Sequence, residues 1–421
     1  MKNRTRTVIA ASMGNALEWY DFSLFAFFAV YISANFFPKE ADPITNMINT
    51  FLLFGVGFIA RPIGAILCGY IGDKYGRKKS LLLTISTMAI GIIIIVLTPK
   101  FQDIGYLAPI MLLVARLFQG FSAGGEIGGA TSYLLENADK KQRLLYTSFL
   151  QSTIGIANIL SALAGVIITT IFTTQDIYDG AWKYAFAFGL LIIPVGVYIR
   201  NKSNESAVFI EQQKENKNKA PLKDLLKDYK GRIFTGMLFS TLWTAGVYSL
   251  IIFMPTFYHK FLGYDMQLGY TASFLGNIFL TLGCFFAVFI AHKIGLIKSL
   301  MISIGLLSFM PFLALYVLLG SSNAFLLFAI HIILCLLISF FVGLAPAIMS
   351  LLFPAHVRSS GLSISYNLVA IFFAGFTPAI ITYLAKFSLF APAAWTLLSC
   401  ILAFWGVVRM KKLGLDNWQE F

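Results

Sequence analysis

Apolar residues along this chain form long blocks separated by short polar segments. Several blocks approach twenty residues, such as Leu81–Leu97 and Met301–Leu319. A helix rises about 1.5 Å per residue, so about twenty residues cross a hydrocarbon core of about 30 Å. Because lipid offers no hydrogen-bonding partners, backbone groups in such blocks must bond within their own segment. The pattern therefore predicts an all-α membrane protein.

The blocks can be divided into twelve membrane spans. Numbered 1 to 12 in chain order, they are placed at about 8–37, 47–72, 79–98, 104–135, 144–173, 182–200, 232–258, 267–291, 295–319, 323–352, 358–385 and 389–408. An even number of spans leaves both termini on the same side of the membrane.

The longest polar stretch, 201–230, lies between spans 6 and 7. Its leucines at 222, 225 and 226 are spaced as on one face of a helix, which predicts a short amphipathic helix along the membrane surface. This stretch divides the chain into an N-terminal half, a basic cytoplasmic linker and a C-terminal half, at residues 1–200, 201–231 and 232–421. Each half is predicted to be a bundle of six helices.

Composition excludes an ordinary soluble protein, since 58% of the residues are hydrophobic and only 12% are charged, against about 25% charged in soluble proteins. The net charge of +13 does not indicate nucleic-acid binding, because its distribution follows the loops. The termini and the loops that join even to odd spans hold 25 of the 32 Lys and Arg, which places both termini in the cytoplasm. The opposite side holds Lys39, Lys100, Lys183, Lys260 and Lys386.

Features of other protein classes are missing from the sequence. The four cysteines show neither metal-ligand spacing nor a disulfide framework, so no metal, cofactor or disulfide is predicted; they are Cys68, Cys284, Cys335 and Cys400. An intramembrane enzyme would need a clustered acidic or metal motif, and a receptor would be expected to carry a long cytoplasmic signalling extension. Polar residues interrupt the first apolar stretch, so it does not resemble a cleavable signal peptide.

Five ionisable residues fall inside spans, where charge is costly and usually functional. They are Glu18, Asp21, Arg61, Arg116 and Glu126. In one interpretation they line a water-filled cavity, where a carboxylate takes up and releases a coupling proton and an arginine binds a substrate carboxylate. In the other, the acids and arginines form permanent pairs that hold helices together. Spans 7 to 12 contain almost no charge, so coupling is expected in the N-terminal half.

Glu18 and Asp21 are three residues apart and share a helix face with Asn15. These two acids are the leading candidates for proton carriers. The balance of three intramembrane acids and two arginines suits a zwitterion, or a monoanion travelling with a proton, better than a dicarboxylate.

Uncharged residues add further candidates. Tyr366 and Asn367 could supply polar contacts from the C-terminal half. Four aromatic residues could form a cation–π wall for a quaternary ammonium, although aromatic packing is the commoner reason for such residues in membranes; they are Trp19, Tyr20, Trp243 and Tyr248. His331 is interpreted as a buried, hydrogen-bonded histidine rather than a proton relay.

The loop after span 2 reads Gly69-x-x-x-Asp73-x-x-Gly76-Arg77-x-Lys79. It resembles the signature loop of the major facilitator superfamily at every diagnostic position. The resemblance implies a gating role, in which the glycines allow a tight turn between packed helices and the charged residues contact neighbouring helix ends.

Span 4 carries Arg116-Leu-Phe-Gln119-Gly120-x-x-x-Gly124, which resembles a second superfamily motif, one associated with proton transfer. The glycines themselves are better explained by close helix packing. By the same resemblance, Glu136 near the end of this span is the expected partner of Arg77. Span 5 lacks the Gly-Pro motif of drug exporters, which disfavours efflux.

Three segments, 14–22, 61–64 and 353–378, resemble the metabolite:proton symporters that carry proline/betaine, 2-oxoglutarate, citrate or shikimate. The resemblance implies the major facilitator fold and inward proton symport of a small carboxylate-bearing metabolite or zwitterion, with a proline/betaine-like substrate favoured. A di- or tricarboxylate carrier and a metabolite exchanger are the alternatives. The expected setting is a bacterial cytoplasmic membrane, with the substrate, protons and lipid as partners, no nucleic acid, and function as a monomer.

Overall fold

The computed structural model describes residues 19–75, 77–124, 142–190, 221–354 and 357–414, with the isolated positions 16, 131, 135 and 194. Within these residues the regular structure is entirely helical. The predicted all-α class is therefore confirmed.

In the N-terminal half the described helices follow the predicted spans to within a few residues. Spans 1 to 6 correspond to 19–27 with Ala29–Phe36, Pro43–Tyr75, Arg77–Leu97, Leu107–Ala123, Arg143–Ile171 and 183–190. Short helical turns at Phe101–Ile104, Thr174–Asp176 and Ile177–Ala181 connect spans 3 to 4 and 5 to 6.

The C-terminal half is described almost completely. Spans 7 to 12 correspond to Lys230–Val247 with Tyr248–Ile252 and Met254–Leu262, Met266–Ile294, Leu296–Leu319, Ala324–Val342 with Ala345–Leu351, Arg358–Ala370 with Ile371–Gly375 and Thr377–Ala385, and Ala391–Lys412.

Spans 7 and 11 each contain one π-helical turn, Tyr248–Ile252 and Ile371–Gly375. Each turn is followed closely by a proline, Pro255 or Pro378. A proline has no N–H to donate to the carbonyl of the preceding turn, and a widened turn accommodates that loss. Such bulges recur near functional sites.

The predicted amphipathic helix of the linker is present at Pro221–Asp228. Leu225 is fully buried and Leu226 is about half exposed, as a helix lying along a surface requires. Residues 201–220 lie outside the described part of the chain.

Eight of the described helices are long and apolar enough to cross a membrane, and Leu82–Leu97 and Leu107–Ala123 are shorter apolar helices. Spans 1 and 6 continue into residues that are not described. Large apolar side chains lie exposed on the outer faces of the bundle, among them Ile66, Phe286 and Phe309. Exposed apolar faces of this extent suit contact with lipid.

Spans 2 and 4 approach until their backbones touch. A Cβ atom on Gly120 would collide with the carbonyl oxygen of Gly57, and one on Gly124 would collide with the carbonyl oxygen of Arg61. Glycine permits this approach because it has no side chain. The contact places the Arg61 and Arg116 segments of the two spans side by side.

The two halves meet where span 2 packs against span 11 and span 5 packs against span 8. At the end of the bundle where spans 1 and 2 are joined, Lys386 Nζ lies 3.3 Å from Asp42 Oδ2. Deeper in the same region, the Tyr270 hydroxyl donates to the Phe27 carbonyl oxygen over 2.9 Å. This end of the interface is therefore bridged by polar contacts between the halves.

The close approach of spans 2 and 4 predicts that Gly120→Ala destabilises the protein. The new methyl group meets backbone that cannot move aside, so we expect the free energy of unfolding to fall by about 1–3 kcal/mol. Gly305→Ala in span 9 is the matched control, because nothing lies within 4 Å of its added Cβ; it should be neutral or stabilising by up to about 1 kcal/mol. Thermal unfolding of the purified variants in detergent measures both effects. Equal melting temperatures for the two variants would contradict the packing argument.

Candidate functional site

Asp21 of span 1 and Arg116 of span 4 are both fully buried, and a glutamine joins them. Gln119 donates through Nε2 to Asp21 Oδ2. Its Oε1 accepts a hydrogen bond from Arg116 Nη1 over 2.8 Å. Residues 116 and 119 share a helix face, which allows this contact. No direct ion pair between Asp21 and Arg116 occurs among the described residues, so the permanent-pair interpretation does not hold for these two in its simple form.

Arg116 is surrounded by aromatic faces. Its guanidinium carbon lies 4.5 Å from the ring centres of Phe22 and Phe25 and 4.8 Å from that of Phe54. The negative faces of the rings stabilise the cation in the absence of water. Its Nε has no hydrogen-bond partner among the described residues, and neither does Asp21 Oδ1. Each end of the Asp21–Gln119–Arg116 chain therefore keeps an unused polar atom.

Arg61 of span 2 is buried in a second aromatic environment. Its guanidinium carbon lies 5.0 Å from the ring centre of Phe58, 5.2 Å from Trp19 and 6.0 Å from Tyr366. Its Nη2 donates to the Ala123 carbonyl oxygen over 3.4 Å. Nε and Nη1 have no partner among the described residues. Buried N–H groups are rarely left unpaired, so these two suit an anionic ligand.

The C-terminal half contributes Tyr366 and Asn367 of span 11, both predicted as binding residues. The Tyr366 ring packs edge-on against Trp243 of span 7, with ring centres 4.8 Å apart. Asn367 donates from Nδ2 to the Gly124 carbonyl oxygen over 3.4 Å, and its Oδ1 has no described partner. The site therefore lies between the two halves.

Part of the predicted site falls outside the described residues. These positions are Asn15, Glu18, Gly76, Glu126 and Glu136. For Gly69, Asp73 and Arg77 the structure gives the backbone alone, within the helices Pro43–Tyr75 and Arg77–Leu97. Their predicted roles stay predictions.

The structure places the four aromatic residues considered as a wall in different surroundings. The Tyr20 hydroxyl donates to the Ala185 carbonyl oxygen, which turns this residue toward span 6. Trp19 faces the guanidinium of Arg61, so a cation of the protein already occupies that ring. Tyr248 packs against Phe58, with ring centres 5.6 Å apart.

His331 lies in a different place, between spans 7, 8 and 10. Its Nδ1 is 3.0 Å from the Tyr258 hydroxyl oxygen, which bears out the expected buried, hydrogen-bonded histidine. Its Nε2 has no described partner and lies close to Gly276.

Two glutamines that contact this region were not among the candidate site residues: Gln119, which the sequence analysis named only as part of the span 4 motif, and Gln151. Gln151 of span 5 accepts a hydrogen bond from the indole Nε1 of Trp243 over 3.1 Å. A signal was available, because a large amide in the middle of an apolar span must find a buried partner.

Comparison with known proteins shows the family and the fold of this chain. A family model described as Major Facilitator Superfamily matches residues 11–377. The chain belongs to the major facilitator superfamily. A relative from Klebsiella pneumoniae named "Citrate-proton symporter" is 33% identical over 394 residues, covering 91% of this chain and 86% of the relative. One from Staphylococcus aureus (strain COL), named "Putative proline/betaine transporter", is 34% identical over 392 residues, covering 91% of this chain and 82% of the relative.

Solved structures of the superfamily share the fold. The xylose transporter XylE from E. coli, in a partially occluded inward open conformation, matches with a TM-score of 0.76 at 15% identity, covering 97% of both chains. A D-xylose-proton symporter matches with a TM-score of 0.75 at 17% identity, covering 95% of this chain and 97% of that one. The predicted major facilitator fold, with its two bundles of transmembrane helices, is confirmed, as is the resemblance to metabolite:proton symporters.

The bridging role of Gln119 predicts that Gln119→Met destabilises this transporter. Methionine has a similar shape but removes the Gln119 hydrogen bond from both Asp21 and Arg116, while Arg116 keeps its bond to the Phe54 carbonyl oxygen. A buried bond to a charged group contributes about 1.5–3 kcal/mol. Gln267→Met is the matched control, because Gln267 is exposed and its side-chain amide donates to the Thr170 hydroxyl; a change within about 0.5 kcal/mol is expected there. Thermal unfolding in detergent compares the two. If Gln119→Met and Gln267→Met unfold at the same temperature, the hydrogen bonds from Gln119 to Asp21 and Arg116 do not stabilise the protein.

Proposed function

We propose that this transporter imports a small carboxylate-bearing metabolite or zwitterion, proline/betaine-like in the favoured case, together with protons and by alternating access of its two halves. The observation that carries the proposal is the buried Asp21–Gln119–Arg116 chain beside Arg61. It puts an acid able to gain and lose a proton close to N–H groups able to bind an anion.

Asp21 is the proposed proton carrier. Its Oδ1 has no hydrogen-bond partner among the described residues, while Oδ2 accepts from Gln119. A proton added at Oδ1 leaves the bond at Oδ2 in place but removes the negative charge that faces Arg116. Because an uncompensated charge is costly at membrane depth, protonation changes which arrangement of the two halves is stable. Glu18 and Glu126 are the other proposed proton-coupling residues.

Arg61 is the proposed carboxylate-binding residue, with Arg116 as a second candidate or as the charge partner of Asp21. Nε and Nη1 of Arg61, which have no partner in the described part of the chain, are charged donors, and such donors bind carboxylates strongly. Oδ1 of Asn367, for which the described residues provide no donor, offers an acceptor for an ammonium or hydroxyl group from the opposite half. Asn15, Trp19 and Tyr366 complete the proposed binding set.

A di- or tricarboxylate carrier is the second candidate, favoured by the relative named as a citrate-proton symporter. Citrate, proline and betaine all carry a carboxylate, so Arg61 serves either substrate class. The relatives point to transport rather than enzymatic catalysis.

The remaining parts of the proposal rest on the sequence. Residues 1–200 and 232–421 form the two moving halves. The segment Gly69–Lys79 between spans 2 and 3 gates them through Gly69, Asp73, Gly76 and Arg77, and Glu136 near the end of span 4 is the proposed partner of Arg77. The basic residues of the termini and linker favour a bacterial cytoplasmic membrane with both termini in the cytoplasm. We further propose that the monomer is functional.

Asp21→Asn should abolish accumulation driven by a pH gradient but keep exchange of labelled for unlabelled solute. Asparagine preserves the shape of the side chain and cannot carry the proton. Uptake of labelled citrate, proline and glycine betaine into proteoliposomes, with and without an imposed gradient, makes the measurement, and Glu18→Gln is tested alongside.

Asp42→Asn is the control for that experiment. Asp42 is an exposed carboxylate, paired with Lys386 and bonded to Thr45. A surface pair contributes only about 0–1 kcal/mol, so accumulation should stay within about fivefold. Unchanged accumulation in Asp21→Asn would rule out Asp21 as the proton carrier. Loss of both accumulation and exchange would instead assign Asp21 to substrate binding or folding.

Arg61→Lys should raise the KM for the transported solute by at least about tenfold. Lysine keeps the charge but loses the planar donor set, and a charged hydrogen bond contributes about 1.5–3 kcal/mol. Arg232→Lys is the matched control, since Arg232 also donates to a backbone carbonyl oxygen, that of Leu352, over 3.1 Å. Initial-rate uptake over a range of solute concentrations gives both KM values. Equal KM values in the two variants would remove Arg61 from the binding site.

A further inference from the structure

Four buried side chains contact one another in series across the two halves. The first and last belong to the N-terminal half and the middle two to the C-terminal half; in order they are Gln151, Trp243, Tyr366 and Arg61. We propose that Gln151 is a positioning residue, which holds Trp243 and Tyr366 against Arg61 and thereby sets the affinity of the substrate site. The inference rests on the proposed function and adds a residue that does not itself touch the substrate.

The first link joins span 5 to span 7. Gln151 Oε1 accepts the Nε1–H of Trp243 over 3.1 Å, and both side chains are at most 3% exposed. Without this acceptor the indole N–H would be buried and unpaired, which costs more than the bond itself contributes. The bond therefore fixes the plane of the Trp243 ring relative to the N-terminal half.

The second link lies within the C-terminal half. The Trp243 and Tyr366 rings meet at 61° with their centres 4.8 Å apart. This is the edge-to-face geometry that aromatic pairs prefer. Spans 7 and 11 are also in close contact nearby, where a Cβ on Gly236 would lie 3.0 Å from Ser365. The orientation of Trp243 therefore sets that of Tyr366.

The third link returns to the N-terminal half. The Tyr366 ring centre lies 6.0 Å from the guanidinium carbon of Arg61, whose Nε and Nη1 have no partner among the residues that the structure describes. Tyr366 thus covers the binding arginine from the opposite half. A shift of this ring changes the space beside the free N–H groups and the contact that stabilises the cation.

Trp395 provides a comparison, because its indole hydrogen bond stays within one half of the protein. Its Nε1 donates over 2.8 Å to Thr377 Oγ1, so donor and acceptor both belong to the C-terminal half. The bond from Trp243 instead crosses between halves that must move relative to each other during alternating access. The Gln151–Trp243 hydrogen bond therefore depends on the relative position of the two halves as well as on local packing.

The test uses the full-length protein with Gln151→Met, Trp243→Phe and the double variant. Each single change removes one partner of the hydrogen bond and keeps similar bulk. We expect KM for the transported probe among labelled citrate, proline and glycine betaine to rise about 3- to 10-fold, the range of a neutral buried hydrogen bond. The maximal rate should stay within about twofold, and the double variant should be no worse than either single one, since partners in one interaction are not additive.

Trp395→Phe is the matched control and should leave KM unchanged. Additive effects of Gln151→Met and Trp243→Phe, or KM values equal to that of the control, would overturn the inference. Failure of the proposed function looks different, since the wild-type protein would then take up none of the three probes.

A second measurement does not depend on transport. The ultraviolet resonance Raman band that reports indole N–H hydrogen bonding, isolated as the difference between wild-type and Trp243→Phe protein, should indicate a bonded N–H. In the Gln151→Met background the same difference should indicate a free N–H. An identical band in both backgrounds would overturn the inference whatever the uptake results.

Discussion

A charge held at membrane depth needs compensation from inside the protein, because lipid offers neither counter-charge nor hydrogen bonds. Two arginines and one aspartate face this constraint within the described part of the N-terminal half. Aromatic faces surround both guanidinium groups, and Gln119 joins Asp21 to Arg116. Within the described residues the compensation is incomplete, since Arg61 and Asp21 each keep polar atoms without a hydrogen-bond partner. In the proposed mechanism, the substrate binds at the free N–H groups of Arg61 and the proton at Asp21.

The packing of the surrounding helices positions Asp21, Arg61 and Arg116. Glycines at 57, 120 and 124 bring spans 2 and 4 into backbone contact, which sets the two arginine-bearing segments beside each other. Spans 7 and 11 carry the π turns, and these two spans supply Trp243 and Tyr366 from the opposite half. A site completed by both halves responds to their relative movement, as alternating access requires.

The sequence was sufficient for the fold because apolar length is a strong signal, and the span boundaries agree with the helices to within a few residues wherever these are described. Asp21, Arg61 and Arg116 were also predictable, since a charge inside an apolar block stands out. The hydrogen-bond partners of Gln119 and Gln151 were not predictable, because the partner of a neutral amide depends on which helix packs against it. For Tyr20 the sequence left a binding wall and ordinary packing open, and the structure adds that its hydroxyl donates to the Ala185 carbonyl oxygen.

The central claim is that a proton moves inward with the substrate, and external pH tests it most directly. Citrate, proline and glycine betaine would be added in turn to a lightly buffered, de-energised suspension of cells that express the protein, with labelled uptake followed in parallel. The account predicts transient alkalinisation of the medium by the transported solute, abolished by a protonophore and absent in Asp21→Asn cells. Entry of labelled solute without any change in external pH would contradict proton symport and point to exchange or facilitated diffusion.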